Sequence, residues 1–226
     1  MEKKFSVIIP TMKRCWDITL KLLENLYNDP AVGEIILIDN SETMEAYSFP
    51  FGDNKWFDKL KPVQMDRNMY VNPSWNWGVS KSSFDYIALV NDDILLPQNI
   101  MSALAQGPIE QLGVLGAYEP SVLPIDNLEP FHADRIDFIP NNQRWNAFGI
   151  FMVMHKSNYR VIDERSLVWT GDDQIFNRLR VEGKQNGMLK FPIKTQMSAT
   201  SNDPEFDAIK ANDLVVYEEV KKLYGI

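Results

Sequence analysis

Near-continuous apolar runs at residues 5–9 (Phe-Ser-Val-Ile-Ile), 34–38 (Glu-Ile-Ile-Leu-Ile) and 86–90 (Tyr-Ile-Ala-Leu-Val) show no period-2 alternation. Such runs predict strands buried on both faces, as in parallel sheets. Between them the period lengthens. Asp17 reads as an N-cap, and Ile18, Leu22, Leu23 and Leu26 follow at helical spacing. Residues 62–66 read as a short strand. Residues 73–82 read as a helix with Pro73 in its first turn, and 98–106 as another. Strand and helix in alternation predict an α/β fold whose mostly parallel sheet is flanked by helices. Ligands bind such sheets beyond the carboxyl ends of the strands. The polar groups at 11–14, 39–41 and 91–93 directly follow the three clear strands, so they converge on one rim.

The second half is less regular. Residues 113–118 and 147–154 read as strands, and 119–140 as a long Pro-containing loop. Gly171-Asp172-Asp173 opens a helix over 174–181, where the helix dipole favours acids. Residues 204–224 read as a C-terminal helix ending near Gly225, and 42–61 as a polar stretch. There is no internal repeat. The 226 residues suit one domain, divided into a first half at 1–106, a second at 107–203 and the helix at 204–226.

Composition narrows the class. With 45% hydrophobic and 24% charged residues the chain is neither disordered nor fibrous. The longest apolar run, 147–154, falls far short of the ~20 residues that span a bilayer, and no signal peptide opens the sequence. Cys15 stands alone, which fits a reducing, cytoplasmic setting. His132 and His155 are the only histidines and read as structural or surface groups, so a metal would rest on oxygen ligands. Net charge is −8, which disfavours non-specific binding to a polyanion. Residues 155–195 nevertheless carry +3, leaving −11 elsewhere. They form either a solvated helix face or a basic surface near a phosphate-bearing substrate.

Two acidic pairs could carry chemistry. Asp92 and Asp93 end a buried strand, where like charges are hard to desolvate. Spacing alone leaves a Mg²⁺ or Mn²⁺ site and a capping turn evenly matched. Asp172 and Asp173 read either as helix-capping acids or as a general base for an acceptor hydroxyl. Asp39 could accept hydrogen bonds from a base or ribose, or simply form a turn. Among Trp75, Trp77, Trp145 and Trp169, most belong to packing. Trp169, close before Asp172, is the one expected to face substrate.

In order, these segments resemble GT-A glycosyltransferases of family 2, which use nucleotide-diphosphate sugars. Phe5 through Pro10, Thr11 and Arg14 resembles that family's first strand and Pro-Thr-x-x-Arg loop. Ile35 to Ser41 is similar to the strand bearing its nucleobase-binding Asp, here Asp39. Asn68 and Asn76-Trp77-Gly78 match its spaced Asn…Asn-x-Gly segment, with Tyr70 where Gly is frequent. Tyr86 to Asp93 looks like the strand that ends in the D-x-D-type motif, with Asn91 in first place and Asp93 as the metal-ligating acid. Residues 146–180 resemble the acceptor half, with Gly171-Asp172-Asp173 in place of Gly-Glu-Asp. The resemblance implies a divalent cation on Asp93 and Asp92, and donor contacts from Pro10, Thr11, Arg14, Asp39, Asn68, Asn76 and Asp92. It also implies Asp173, beside Asp172, as catalytic base. Trp169 and Gly171 fall on the acceptor side. Many relatives complete the metal site with a later His. None follows His155 here, leaving Asn202, Asp203 or water in that place.

The implied reaction is an inverting sugar transfer from a nucleotide-diphospho-sugar donor to a hydroxyl of a saccharide or glycoconjugate, with hydroxymethylated viral DNA as the alternative acceptor. Two other classes share some features. A nucleotidyltransferase would want a Gly-rich loop after the first strand, and residues 10–16 contain no Gly. A non-catalytic sugar- or nucleotide-binding module would need no base.

Overall fold

The structure is a computed structural model of the chain that describes residues 2–41, 58–196 and 204–226. Most of the polar stretch at 42–61, and Asn202 and Asp203, lie outside the described residues.

The central sheet has eight strands. β1 (Phe5–Thr11), β2 (Val32–Asp39), β3 (Leu60–Gln64) and β4 (Tyr86–Val90) are mutually parallel, in the order β3-β2-β1-β4. β9 (Phe151–His155) continues antiparallel beside β4, followed by β6 (Val114–Ala117), β10 (Gly187–Lys190) and β8 (Asp137–Pro140). Three short strands, β5 (Ile94–Leu95), β11 (Ile193–Thr195) and β7 (Val122–Pro124), form a second sheet. The helices are α1 (Trp16–Asn28), α2 (Val71–Lys81), α3 (Ile100–Ala105), α4 (Gly171–Val181) and α5 (Asp207–Tyr224).

β1 shows why the apolar runs are continuous. Phe5, Val7 and Ile9 join Leu22, Leu23 and Leu26 of α1 in one core, while Ile8 joins Trp75, Phe148 and Phe176 in another. Both faces are covered, so neither parity of the strand tolerates a polar surface. The α/β expectation is met, with a mostly parallel sheet flanked by helices and a helix at the C-terminus. Among the described residues no helix is long and apolar enough to cross a membrane.

Several details differ from the sequence reading. α1 starts at Trp16, so Asp17 lies in its first turn and Cys15 holds the cap position without a side-chain bond. The 119–140 segment is not one loop: β7 and β8 form there, as short strands whose partners β11 and β10 lie far along the chain. β9 begins only at Phe151, because Ala147 turns through φ +55° into a 3-10 turn at Phe148–Ile150. α4 takes in Gly171 and both acids. β3 starts at Leu60 and includes Pro62, which an edge strand tolerates.

One charge sits inside the sheet. Glu34 of β2 is 1% exposed and accepts hydrogen bonds from Ser6 Oγ (2.6 Å) and the Ser83 backbone N–H (2.5 Å), with Lys61 beside it. Burial alone would raise its pKa; the Lys61, Ser6 and Ser83 contacts outweigh burial and hold it below the ordinary carboxylate value. A depressed folded pKa means that this carboxylate stabilises the fold above its unfolded pKa and loses that contribution as pH falls. Glu34→Gln should therefore lower the melting temperature at neutral pH. The gap to the parent protein should narrow below about pH 4, as thermal melts across pH will show.

Candidate active site

The carboxyl ends of β1, β2 and β4 meet at one rim, and a cavity of about 440 Å³ opens there. Pro10, Thr11, Met12 and Arg14 after β1, Asn40 after β2 and Asn91, Asp92 and Asp93 after β4 line one part of it. Val168, Trp169, Thr170, Asp172 and Asp173 around the start of α4, together with Arg144, also line it. The two acidic pairs, some 80 residues apart in sequence, thus share a single hollow.

The two acids after β4 are held differently. Asp92 Oδ2 accepts the Thr11 hydroxyl at 2.6 Å. Burial, with the neighbouring Asp93 charge adding to it, pushes the Asp92 carboxyl up to about 6 against the pull of the Thr11 bond. Burial raises Asp93 as well, and its Oδ1 is enclosed without a hydrogen-bond partner among the described residues. Two desolvated carboxylates, one with an unfilled oxygen, suit a hard divalent cation. Among the described residues no cluster of three or more His, Cys, Asp or Glu exists. Asp92 and Asp93 are thus the carboxylates that the described residues bring together at the end of β4. Asn202 and Asp203, the other candidates, lie outside the described residues.

At the other pair an arginine dominates. Arg144 Nε donates to Asp173 Oδ1 at 2.5 Å, and its Nη1 lies 3.1 Å from Asp172 Oδ2 and 2.8 Å from the Trp145 carbonyl. Burial raises the Asp172 pKa, Arg144 opposes this, and the Asp173 charge adds to the rise. Burial, followed by the charge of Asp173, pushes the Tyr217 phenol up to about 12. Sequence offered no sign of Arg144, which sits in an irregular loop nearly thirty residues upstream.

The sheet itself joins the two pairs. β4 and β9 run side by side to Val90 opposite Phe151, and the Asn91 N–H donates to the Ile150 carbonyl at 3.0 Å. Next to Ile150, Gly149 lies so close to Asp172 that a Cβ there would stand 2.8 Å from Oδ2. Only a glycine lets the acid approach this backbone.

Not every expected residue reaches the cavity wall. Pro10, Thr11, Arg14, Asn68, Asp92, Asp93, Trp169, Asp172 and Asp173 do. Asn76 does not: its Nδ2 donates to the Ile162 carbonyl, and its Oδ1 accepts from Tyr159 Oη and the Ile162 N–H. Its amide is spent tying α2 to the second half of the chain. Asp39 is fully buried behind the rim, where Oδ1 accepts from the Ser41 N–H and hydroxyl and Oδ2 pairs with Lys13 at 2.8 Å. Gly171 is also behind the wall, and its missing side chain leaves room for Asn72 Oδ1, 2.1 Å from where a Cβ would stand. Trp75 lines the cavity although 4% exposed; Trp145 packs on Tyr118 with ring centroids 5.3 Å apart. His155 bonds Ser157 through Nδ1, and His132 is exposed. Cys15 also faces the cavity, where burial first and then Asp92 and Asp93 raise its thiol pKa, unfavourably for a nucleophile.

Backbone strain gathers at the same place. Tyr70 (φ +63°), Ala147 (φ +55°) and Thr170 (φ +66°) all line the cavity in the left-handed region. Each such residue costs about 1–3 kcal/mol, and such strain clusters at functional sites. Tyr70 keeps the turn that Gly would make without strain, helped by Asn68 Oδ1 accepting the Tyr70 N–H at 2.8 Å.

A mostly parallel α/β sheet flanked by helices, with a helix at the C-terminus, is the fold of the GT-A glycosyltransferases. The family model described as glycosyl transferase family 2 matches residues 6–119, and the chain belongs to that family. Comparison with curated protein sequences gives no match. Solved structures share the fold at low identity. GalNAc-T7 with UDP, GalNAc and Mn²⁺ superposes with a TM-score of 0.68 at 10% identity, over 97% of this chain and 48% of that one. The mannosyltransferase PcManGT from Pyrobaculum calidifontis, with GDP-Man and Mn²⁺, gives 0.60 at 12%, over 95% and 63%. TarS 1-349 from S. aureus with UDP gives 0.62 at 13%, over 85% and 60%. The chain thus covers between 48% and 63% of these three proteins.

The raised pKa of Asp92 has a sign that can be tested. Its contribution to stability is greatest below the ordinary carboxylate value and is lost as pH rises through about 6. Asp92→Asn, which still accepts the Thr11 hydroxyl, should raise the melting temperature of the ligand-free protein by about 2–4 °C at about pH 7.5. The difference should vanish near pH 4 in the same scanning calorimetry series.

Proposed function

We propose that the protein is an inverting glycosyltransferase that moves a sugar from a nucleotide-diphospho-sugar to a hydroxyl of a saccharide or glycoconjugate. The observation that carries this reading is the common cavity of Asp92–Asp93 and Asp172–Asp173, linked by the β4–β9 backbone. The nucleotide would lie across the strand ends beside Pro10, Thr11, Arg14 and Asn68. Asp39 would act from behind the rim, by ordering the Lys13 side chain and the Ser41 backbone. Asp93, with Asp92, would hold a divalent cation, whose charge would offset that of the departing diphosphate. The Mn²⁺ in the GalNAc-T7 and PcManGT structures supports this assignment.

On the acceptor side Asp173 would take the proton of the attacking hydroxyl. As the new C–O bond forms at the anomeric carbon, the bond to the diphosphate breaks on the opposite face. Arg144 fixes the Asp173 carboxylate in place through Nε and leaves Oδ2 for the proton. Trp169, beside Phe206 at 6.2 Å between centroids, would offer its ring to the apolar face of a sugar.

The basic excess at 155–195 supports a saccharide over DNA. Arg160 pairs with Glu182, Arg165 with Asp163 and Glu219, and Lys194 with Asp126, while Lys156 and Arg178 donate to backbone carbonyls. Three of the eight cations in this stretch are thus neutralised by carboxylates and two more are held on the protein's own backbone, which weakens the pull of the stretch on phosphates.

A screen of nucleotide sugars for release of the nucleoside diphosphate, with and without Mn²⁺, tests the reading directly. Asp173→Asn should cut turnover by about 10²–10⁴-fold while nucleotide affinity stays nearly unchanged; parental rates would remove Asp173 as base. Asp93→Ala should weaken Mn²⁺-supported nucleotide binding in calorimetry, and equal affinity would count against the cation site.

A further inference from the structure

Three successive backbone N–H groups before α4 converge on one carboxylate. Asp213 of α5 is fully buried, and its Oδ1 accepts the Leu167 N–H at 2.8 Å while Oδ2 accepts those of Val168 and Trp169, each at 2.8 Å. Two of these three residues are also held by α2. The Asn72 N–H donates to the Leu167 carbonyl at 2.9 Å, and Asn72 Nδ2 donates to the Trp169 carbonyl at 3.0 Å. Residues 167–169 are therefore a strap between two helices, with three N–H groups on α5 and the Leu167 and Trp169 carbonyls on α2. Thr170, in the left-handed region, follows directly, and then α4 with Asp172 and Asp173.

The strap belongs to the site. Val168 and Trp169 line the cavity, and so do Lys210 and Leu214 of α5, three residues before Asp213 and one after it. A helix can be docked on a loop by apolar contact alone, at no desolvation cost. A buried carboxylate is the costlier device, and what it adds is direction: two oxygens receiving three N–H groups fix the orientation of successive peptide planes. The planes fixed here set where the Trp169 ring stands and from where α4 starts.

Resting on the function proposed above, we propose that Asp213 is a positioning residue that holds the 167–169 strap, and through it Trp169 and the Asp173 carboxylate, in the geometry needed for transfer. The Asp213 carboxylate bonds to residues 167–169 and takes no part in holding Asp92 or Asp93, so the nucleotide end should not depend on it. Loss of Asp213 should therefore lower kcat and spare donor binding.

The experiment compares Asp213→Asn with Asn212→Ala, which removes a neighbouring exposed bond from α5 to the Arg165 carbonyl. The substrate is whichever nucleotide sugar the wild-type protein hydrolyses with Mn²⁺. Asp213→Asn should lower kcat at least about tenfold, with the donor KM and the Mn²⁺-supported dissociation constant of that donor's nucleoside diphosphate each within about twofold of wild type. Amide hydrogen exchange at 167–169 should accelerate, while β1 and β4 amides stay protected. Asn212→Ala should leave all of these near wild type. Should Asp213→Asn fail to fold, Asp213→Glu keeps the buried charge but shifts it by one methylene, and the same split is expected. An unchanged kcat, or an equal loss of kcat and nucleotide affinity, would overturn the positioning role. A wild-type protein that turns over no nucleotide sugar would overturn the glycosyltransferase reading and the positioning role with it. Unaltered exchange at 167–169 in Asp213→Asn would overturn the strap assignment even with full wild-type turnover.

Discussion

Asp92 and Asp93 stand where β4 leaves a core that is dry on both faces, and much of the molecule can be read as the arrangement needed to keep their charge there. Thr11 reaches across from β1 to hold one carboxylate, and Thr19 of α1 donates to the Asp92 carbonyl at 3.0 Å. Burial still pushes both carboxyl groups up in pKa, and one oxygen of Asp93 is left with no hydrogen bond among the described residues. A fold maximised for stability would have put amides there. The cost of the acids is borne by an extensive core, to which every residue of β1 from Phe5 to Thr11 contributes as a buried position.

Asp172 and Asp173 are compensated in the opposite manner, by a full counter-charge from Arg144. The contrast fits the roles proposed for them. A cation site must stay electrostatically unsatisfied until its ion arrives, whereas a base must be fixed in direction but retain one open oxygen. Burial without a counter-charge at one pair, and burial opposed by Arg144 at the other, are two environments for the same side chain.

The strands of the first half were legible because burial on both faces writes itself into composition: 86–90 was located to the residue, and β1 and β2 to within a few. The rim followed from strand polarity alone, so Thr11, Arg14, Asp92 and Asp93 could be placed together before any coordinates. What stayed hidden depends on partners distant in sequence. β7, β8, β10 and β11 are three or four residues long and exist through pairing across the chain, which no local period records. Arg144 lies in irregular backbone, and Asp213 looks like any acid on an exposed helix until three N–H groups are seen to meet it. Asn76 shows the converse: its motif was visible, but the amide ties α2 to Ile162 and Tyr159 at a distance from the cavity. Asp39, similarly, stands one layer behind the surface expected to touch nucleotide.

The adjacency of β4 and β9 has a consequence for how the molecule can work. Asn91 is bonded to Ile150, and Gly149 is pressed against Asp172, so the end of β4 and the start of α4 are tied through neighbouring backbone. The gap between the acidic pairs is thus gauged by sheet register on one side and by a loop on the other. Changes to the irregular segments around the mouth would then act on what is admitted, and changes to that loop on the distance over which the chemistry acts.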